Sequence, residues 1–336
     1  MYFISKINLF LFLFILLIFS CKKKQEEITP YKEPLEYIQL TYPNYFPEMT
    51  LNTSNRLSKE GVALGRKLYY DTLLSNDGRS CSSCHNQTES FSKQSVNSLA
   101  HINLAWHSSF LWDGSVGSTL EDAMIFEVGT FFGTDVSKLQ NHSEYPSLFE
   151  KVFGSKQISV NQVAFALAQF TRSMISSNSK YDRYKKGELQ LTPQELNGLD
   201  IFFTERGDCF HCHTLGLFTD NSYHNTGLDD NFNELNSGRY LFTNNSADIG
   251  KFKTPTLRNI EFTPPYMHDG RYLTLEQVIE FYNNGVKISP YVDPIMTKPG
   301  KEFGLGLSTQ DKNDLIAFLK TLSDTSFLNN PQFSKP

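Results

Sequence analysis

The pentapeptide Cys81-Ser82-Ser83-Cys84-His85 returns later in the chain as Cys209-Phe210-His211-Cys212-His213, and no other feature restricts the sequence as tightly. Two thiols separated by two residues and followed at once by His form the attachment sequence of c-type haem. The sulfurs add to the porphyrin vinyl groups and the adjacent imidazole coordinates iron from one face. On a helical turn this spacing sets the thiols about one porphyrin edge apart and points the next residue inward, under the metal. A zinc knuckle or a redox C-x-x-C competes for a single match. Two matches, each with His in the same place, favour two haems, bound through Cys81, Cys84, His85 and Cys209, Cys212, His213.

Four of the five cysteines are used in this way; the fifth, Cys21, ends the apolar run 9–20 that follows Lys6. A charged start, a short apolar core and a small residue before the break describe a secretory signal over 1–20, too short for a comfortable membrane span. Ile18-Phe19-Ser20-Cys21 resembles a bacterial lipobox, so Cys21 is expected to be the acylated first residue of a periplasmic, membrane-anchored lipoprotein. Lys22-Lys23-Lys24 would rest on anionic headgroups or act as a solvated tether. Removing 1–20 leaves 30 basic against 36 acidic side chains, a balance of −6. Nucleic acid is therefore not an expected partner.

Along the chain, Pro30, Pro34, Pro43 and Pro47 mark 21–50 as a linker and lead-in. Leu57, Gly61, Leu64, Gly65 and Leu68 share one helical face, the glycines implying close packing against a second helix or a porphyrin. Val163, Leu167, Phe170 and Met174 place an amphipathic helix over 160–175. Thr192-Pro193-Gln194-Glu195 opens another with a capping box, running to about 205. Helices are also expected over 274–282 and 309–322. No strand alternation stands out, so the class is all-α, with domains at 51–187 and 188–336 joined through 177–187.

The halves share more than their thiols. Asn103 precedes Trp112 by nine residues as Asn259 precedes His268; Asp-Gly follows each, then Thr-Leu-Glu (119–121 and 274–276). A duplicated haem domain explains this economically. Seven residues beyond Leu120 and Leu275, the register pairs Glu127 with Tyr282. A carboxylate above an open haem can move a proton between the two peroxide oxygens, and a phenol can be a sixth iron ligand that favours ferric and higher-valent iron. On the repeat alone, Glu127 as a surface acid and Tyr282 as a core aromatic are equally open. Trp112 occupies the place of His268 near the expected seam, where an indole could carry electrons between porphyrins.

With Leu64-Gly65-Arg66-Lys67-Leu68-Tyr69-Tyr70-Asp71, Leu111-Trp112-Asp113-Gly114, Lys253-Thr254-Pro255-Thr256-Leu257-Arg258-Asn259 and Pro265-Tyr266-Met267-His268-Asp269-Gly270-Arg271, the chain over 55–325 resembles the bacterial di-haem cytochrome c peroxidase family, MauG-type enzymes included. The resemblance implies two cytochrome c-like domains with calcium between them, a peroxide-reactive N-terminal haem and a C-terminal haem that receives electrons. It maps Trp112 onto the bridging tryptophan and Glu127 onto the distal acid, although the segment joining them is short. It maps Asn97, Thr263 and Pro265 onto calcium positions, hard oxygen donors suiting that ion.

Two departures shape the functional expectation. Where many peroxidases cap the second haem with Met, fourteen residues after the position of His268, this chain has Tyr282, as in the MauG-type branch; Met267 is the second-choice ligand. Where many place a detachable His after the first attachment site, 86–96 contain none. His101 and His107 align with Leu257 and Thr263, which points to packing or backbone roles, so the first haem is expected to be open at rest. The reaction expected is reduction of hydrogen peroxide with electrons from a small cytochrome c or cupredoxin. MauG-like oxidation of a protein or organic substrate is the alternative, and a non-catalytic di-haem electron carrier the third reading. A homodimer is a further possibility.

Overall fold

The computed structural model describes residues 34–302 and 304–336. The signal at 1–20, the acylation of Cys21 and the tether at Lys22-Lys23-Lys24 lie outside them. Helix α1, Lys59–Tyr69, starts at Ser58, whose side chain accepts from the amide of Gly61, and buries Gly61, Leu64, Gly65, Leu68 and Tyr69. That face lies on a later helix, Val160–Arg172, and Gly65 is what permits the approach: a Cβ there would sit 1.9 Å from the Ala166 carbonyl oxygen. Of the two neighbours the glycines allowed, a helix is the one found.

Between these two lies α2, Leu120–Phe126, capped by Thr119 and Asp122; Val160–Arg172 is α3. The second half uses the same devices. Helix α4, Pro193–Phe202, opens at the Thr192–Glu195 capping box; α5, Leu275–Glu280, opens at Thr274; and α6, Thr309–Lys320, opens at Ser308. Gly198 lets α4 meet α6 as closely as Gly65 lets α1 meet α3, its missing Cβ being 1.9 Å from the Asp314 carbonyl oxygen.

Three expected helices end early, for tertiary reasons. Asn103 takes a left-handed conformation and donates its amide to Met174 O at 3.1 Å, so α3 stops at Arg172 rather than 175. Asn259 does the same to Leu322 O at 3.1 Å, and α6 stops at Lys320 rather than 322. The paired asparagines of the repeat therefore have a job, each tying its loop to the end of its half's last long helix. Helix α4 closes at Phe202, short of 205, as Gly207 N reaches back to Ile201 O at 3.0 Å.

The molecule is mostly helical, as an all-α class requires, with one small sheet among the described residues: β1, Tyr223–His224, pairs antiparallel with β2, Phe252–Lys253, Tyr223 facing Lys253. Two residues on each strand are too few for alternation to show. Buried apolar side chains form one cluster from Leu64 to Met174 and a second from Tyr181 to Leu322. Phe327 and Phe333, from the last residues of the chain, pack in the first cluster. The expected linker also differs within 35–50. Phe46 and Met49 are buried, and the Tyr45 hydroxyl donates to Asp182 at 2.5 Å, because the aromatic side chains between the prolines have apolar surface to lose.

Candidate functional site: a shared cavity between two C-x-x-C-H turns

Ser80 and Ser83 cap each other and wind Cys81–Cys84 into one helical turn, after which the His85 amide returns to Cys81 O at 3.0 Å. The loop beyond turns through left-handed Ser90 and Phe91, bringing the Phe91 carbonyl 3.0 Å from Nδ1 of His85. In the second half the His213 amide bonds Cys209 O at 2.9 Å, and left-handed Phe218 offers its carbonyl 2.9 Å from Nδ1 of His213. A ring that donates Nδ1–H to a carbonyl presents a bare Nε2, the form in which imidazole binds a metal. Burial pushes His85 down to about 4 and lowers His213 as well, so both rings are neutral at ordinary pH.

Both turns open onto one cavity of about 830 Å³, whose walls include His85, His101, Trp112, Glu127, His213, Met267, His268 and Tyr282. Glu127 follows the end of α2 in a π-helical turn, Glu127–Phe131; Tyr282 lies in the corresponding turn after α5, Phe281–Gly285. Such turns are frequent at functional sites. Burial pushes the Glu127 carboxyl up to about 7. It also raises the Tyr282 phenol, and the nearby Cys212 and Cys209 add to that effect.

Trp112 stands in the cavity wall. Its Nε1 donates to Asn97 O at 3.4 Å, and its carbonyl accepts from Lys253 N at 2.8 Å. Asn97, Thr263 and Pro265 line the same cavity. Asn97 spends its amide hydrogens on Met267 O at 3.1 Å and His268 O at 2.9 Å, leaving its own side-chain oxygen for another partner. Met267, with positive φ, is held in the same turn. His101 does pack, face to face on His85 with ring centroids 3.5 Å apart.

Three more side chains of the same walls stand out. Lys253 is 3% exposed, with Nζ 2.9 Å from Asn221 Oδ1, and burial lowers it to about 8. His224 is clamped between Asp220 at 2.8 Å and Asp293 at 2.6 Å, the Asp220 hydrogen bond being the main reason its pKa is raised. His268 stacks on Phe252 at 3.5 Å while its Nε2, like Ser109 Oγ, is buried without a partner. The internal repeat marks His268 as the counterpart of Trp112, and the resemblance sets it beside the second haem; the motif 253–259 contains Lys253 without giving it a role, and nothing in the sequence marks His224.

These walls fit two covalent haems. Each turn supplies two thiols and a bare imidazole nitrogen, the lining between is largely apolar, and orphaned donors such as Ser109 Oγ suit a carboxylate on a bound ligand. Among the described residues, the groups of His, Cys, Asp and Glu close enough to hold an ion are Cys212–Asp220–His224, Glu205–Asp208–His211 and Asp229–His268–Asp269.

Comparison with known proteins agrees with this geometry. A family model described as di-haem cytochrome c peroxidase matches residues 59–190. The methylamine utilization protein MauG of Methylorubrum extorquens is 32% identical over 288 residues, 80% of each chain being covered. Cytochrome c551 peroxidase of Nitrosomonas europaea is 29% identical, covering 81% of each. Among solved structures, a MauG-like protein associated with microbial copper homeostasis superposes with a TM-score of 0.79 at 32% identity, covering 89% of this chain and 99% of that one.

Proposed function

Because the chain belongs to the di-haem cytochrome c peroxidase and MauG family, we propose that it reduces hydrogen peroxide at a centre built on His85, using electrons delivered through a second centre built on His213. The observation that carries this is the asymmetry of one cavity, which sets a buried carboxyl, Glu127, on the side of the first C-x-x-C-H turn and a buried phenol, Tyr282, on the side of the second.

Bound haem would supply iron to receive peroxide oxygen and a reservoir of electrons. His85, Cys81 and Cys84 hold the first haem; His213, Cys209 and Cys212 hold the second. Glu127 takes the proton from the inner peroxide oxygen and returns it to the outer one, so that the leaving oxygen departs as water. Two electrons and two protons complete the conversion of one peroxide to two waters. Trp112, joined to the first half through Asn97 and to the second through Lys253, passes electrons between the centres. Tyr282 would offer its phenol oxygen to the second haem, with Met267 the other candidate on the same wall. A calcium ion held by Asn97, Thr263 and Pro265 would fix the turn that carries Met267 and His268. The donor is a small cytochrome c or cupredoxin. The chain works in the periplasm, anchored through lipidated Cys21; no helix among the described residues is long and apolar enough to cross a membrane.

A second reading, MauG-like oxidation of a protein or organic substrate, draws on Tyr282, since a phenol favours higher oxidation states of iron where Met would not. Steady-state peroxide consumption with reduced cytochrome c tests the first reading. Turnover should require peroxide and fall by about 10²–10⁴ in Glu127→Gln. No turnover with any small donor, alongside oxidation of a tryptophan-bearing protein, would favour the second.

A further inference from the structure

Tyr69 is fully buried, and its hydroxyl lies 3.1 Å from Nδ1 of His101, the ring stacked on His85. Tyr69 also meets Tyr70 edge to face at 5.4 Å, and Tyr70 is only half-buried, its hydroxyl donating to Phe333 O at 2.6 Å. An aromatic path thus runs from the first imidazole to the surface. The second half supplies an internal control. There Phe202 and Phe203 meet at 4.9 Å with an interplanar angle of 64°, against 63° for Tyr69 and Tyr70. Phe202 touches Phe318 at 5.1 Å as Tyr69 touches Phe170 at 5.2 Å. The residue aligned with His101 is Leu257. Packing is therefore satisfied by Phe, Phe and Leu. Placing a hydroxyl and an imidazole together in the first apolar core costs desolvation that packing does not require.

We infer that Tyr69 and Tyr70 form a redox-active exit from the His85 centre, holding an oxidising equivalent as a tyrosyl radical and passing it to small one-electron reductants at the surface. This rests on the peroxide reading above. For each equivalent, Tyr69 gives one electron to the oxidised centre and its phenolic proton to Nδ1 of His101. Burial, with His85 alongside, holds His101 well below its ordinary value, but an oxidised phenol is a far stronger acid than phenol itself, and the 3.1 Å contact gives its proton a direct acceptor. Tyr70 then returns an electron to Tyr69, which regains its proton from His101, while the Tyr70 proton leaves to water. A reductant such as ascorbate restores Tyr70 with one electron and one proton, and two such passages match one peroxide.

The test is freeze-quench EPR of the diferric holoprotein after one equivalent of peroxide, with the optical spectrum recorded on the same mixture. A radical signal that narrows when the protein contains ring-deuterated tyrosine, and that is lost in Tyr69→Phe, supports the exit. Tyr70→Phe should keep the signal but make it outlast added ascorbate. His101→Leu should move its largest g value upward, as loss of a hydrogen bond to the radical oxygen does. An unchanged signal in Tyr69→Phe overturns the inference, as does an optical response without a tyrosyl signal in the native protein. If the optical spectrum does not respond to peroxide, the peroxide reading falls and the exit with it. Tyr69→Phe copies the packing of Phe202, so folding is not at stake.

Discussion

Arg258 and Asp182 meet as a two-pronged ion pair, Nη1 at 2.9 Å and Nη2 at 3.0 Å from the carboxylate oxygens, with neither side chain exposed to solvent. The same guanidinium donates Nε–H to Gly216 O at 2.8 Å, just beyond the second attachment turn, and the same carboxylate accepts from Tyr45 of the lead-in. One pair thus ties three stretches of chain to the loop that positions His213.

Removing either partner leaves the other buried and unpaired. Asp182→Asn and Arg258→Met should each cost about 3–5 kcal/mol, with the double variant losing less than the sum; guanidinium denaturation of the holoprotein measures this. Burial alone would raise the Asp182 pKa, but the Arg258 charge and the hydrogen bonds from Arg258, Tyr45 and Ser179 overcome it and hold the carboxyl below its ordinary value. A depressed carboxylate stabilises the fold above the unfolded value of about 3.9 and loses that contribution as pH falls through the folded value. Native protein should therefore weaken below about pH 4, and Asp182→Asn should flatten that slope.

Glu127 titrates near the operating range because burial has pushed it up to about 7. If its carboxylate takes the first peroxide proton, the rate of reaction with peroxide should rise as pH increases through about 7 and level off above. Glu127→Gln should remove the rise along with most of the rate. Stopped-flow measurements from pH 5.5 to 8.5 (a window of about 1.5 units either side) would show it.

Tyr282→Phe tests the second centre. With the phenol oxygen gone, the second centre should become easier to reduce, because phenolate ligation favours the ferric state. A spectroelectrochemical titration should show one of the two potentials rise while the other stays in place. Two unmoved potentials would make Tyr282 a core aromatic.

The C-terminal strap gives a stability prediction. Phe327 and Phe333 pack on Phe91, whose carbonyl faces His85, and Arg66 and Tyr70 bind Ser334 O and Phe333 O, each at 2.6 Å. Phe327→Ala should cost about 3–5 kcal/mol, seen in denaturant titration. It should also broaden the signal of the first haem more than that of the second, since Phe327 packs on Phe91, whose carbonyl holds His85.

How far the sequence could be read depended on the range of the interaction involved. Gly65 announced a close approach, yet whether a helix or a ligand came close was decided by Ala166, about a hundred residues away. The ends of α3 and α6 differ from the local pattern for a similar reason. Met174 and Leu322 are apolar and in phase, but their carbonyls are claimed by Asn103 and Asn259 from distant loops. The prolines of 35–50 mark a linker, while the partners of Tyr45 and Phe46, Asp182 and Arg258, lie too far along the chain for spacing to pair them.

By itself the sequence determined the two attachment turns, the capped helix start at Thr192, the helical span that opens at Thr274, and the register pairing Glu127 with Tyr282. All of these depend on residues within a few positions of one another or on the same spacing used twice. The tertiary structure alone decided that both of those residues sit in π-turns, that His101 lies flat on His85 with Tyr69 behind it, that Lys253 is buried, and that the last residues support the first half. Each is a contact between segments far apart in the chain, selected by packing in a shared interior, and no local pattern encodes which distant surface will fill it.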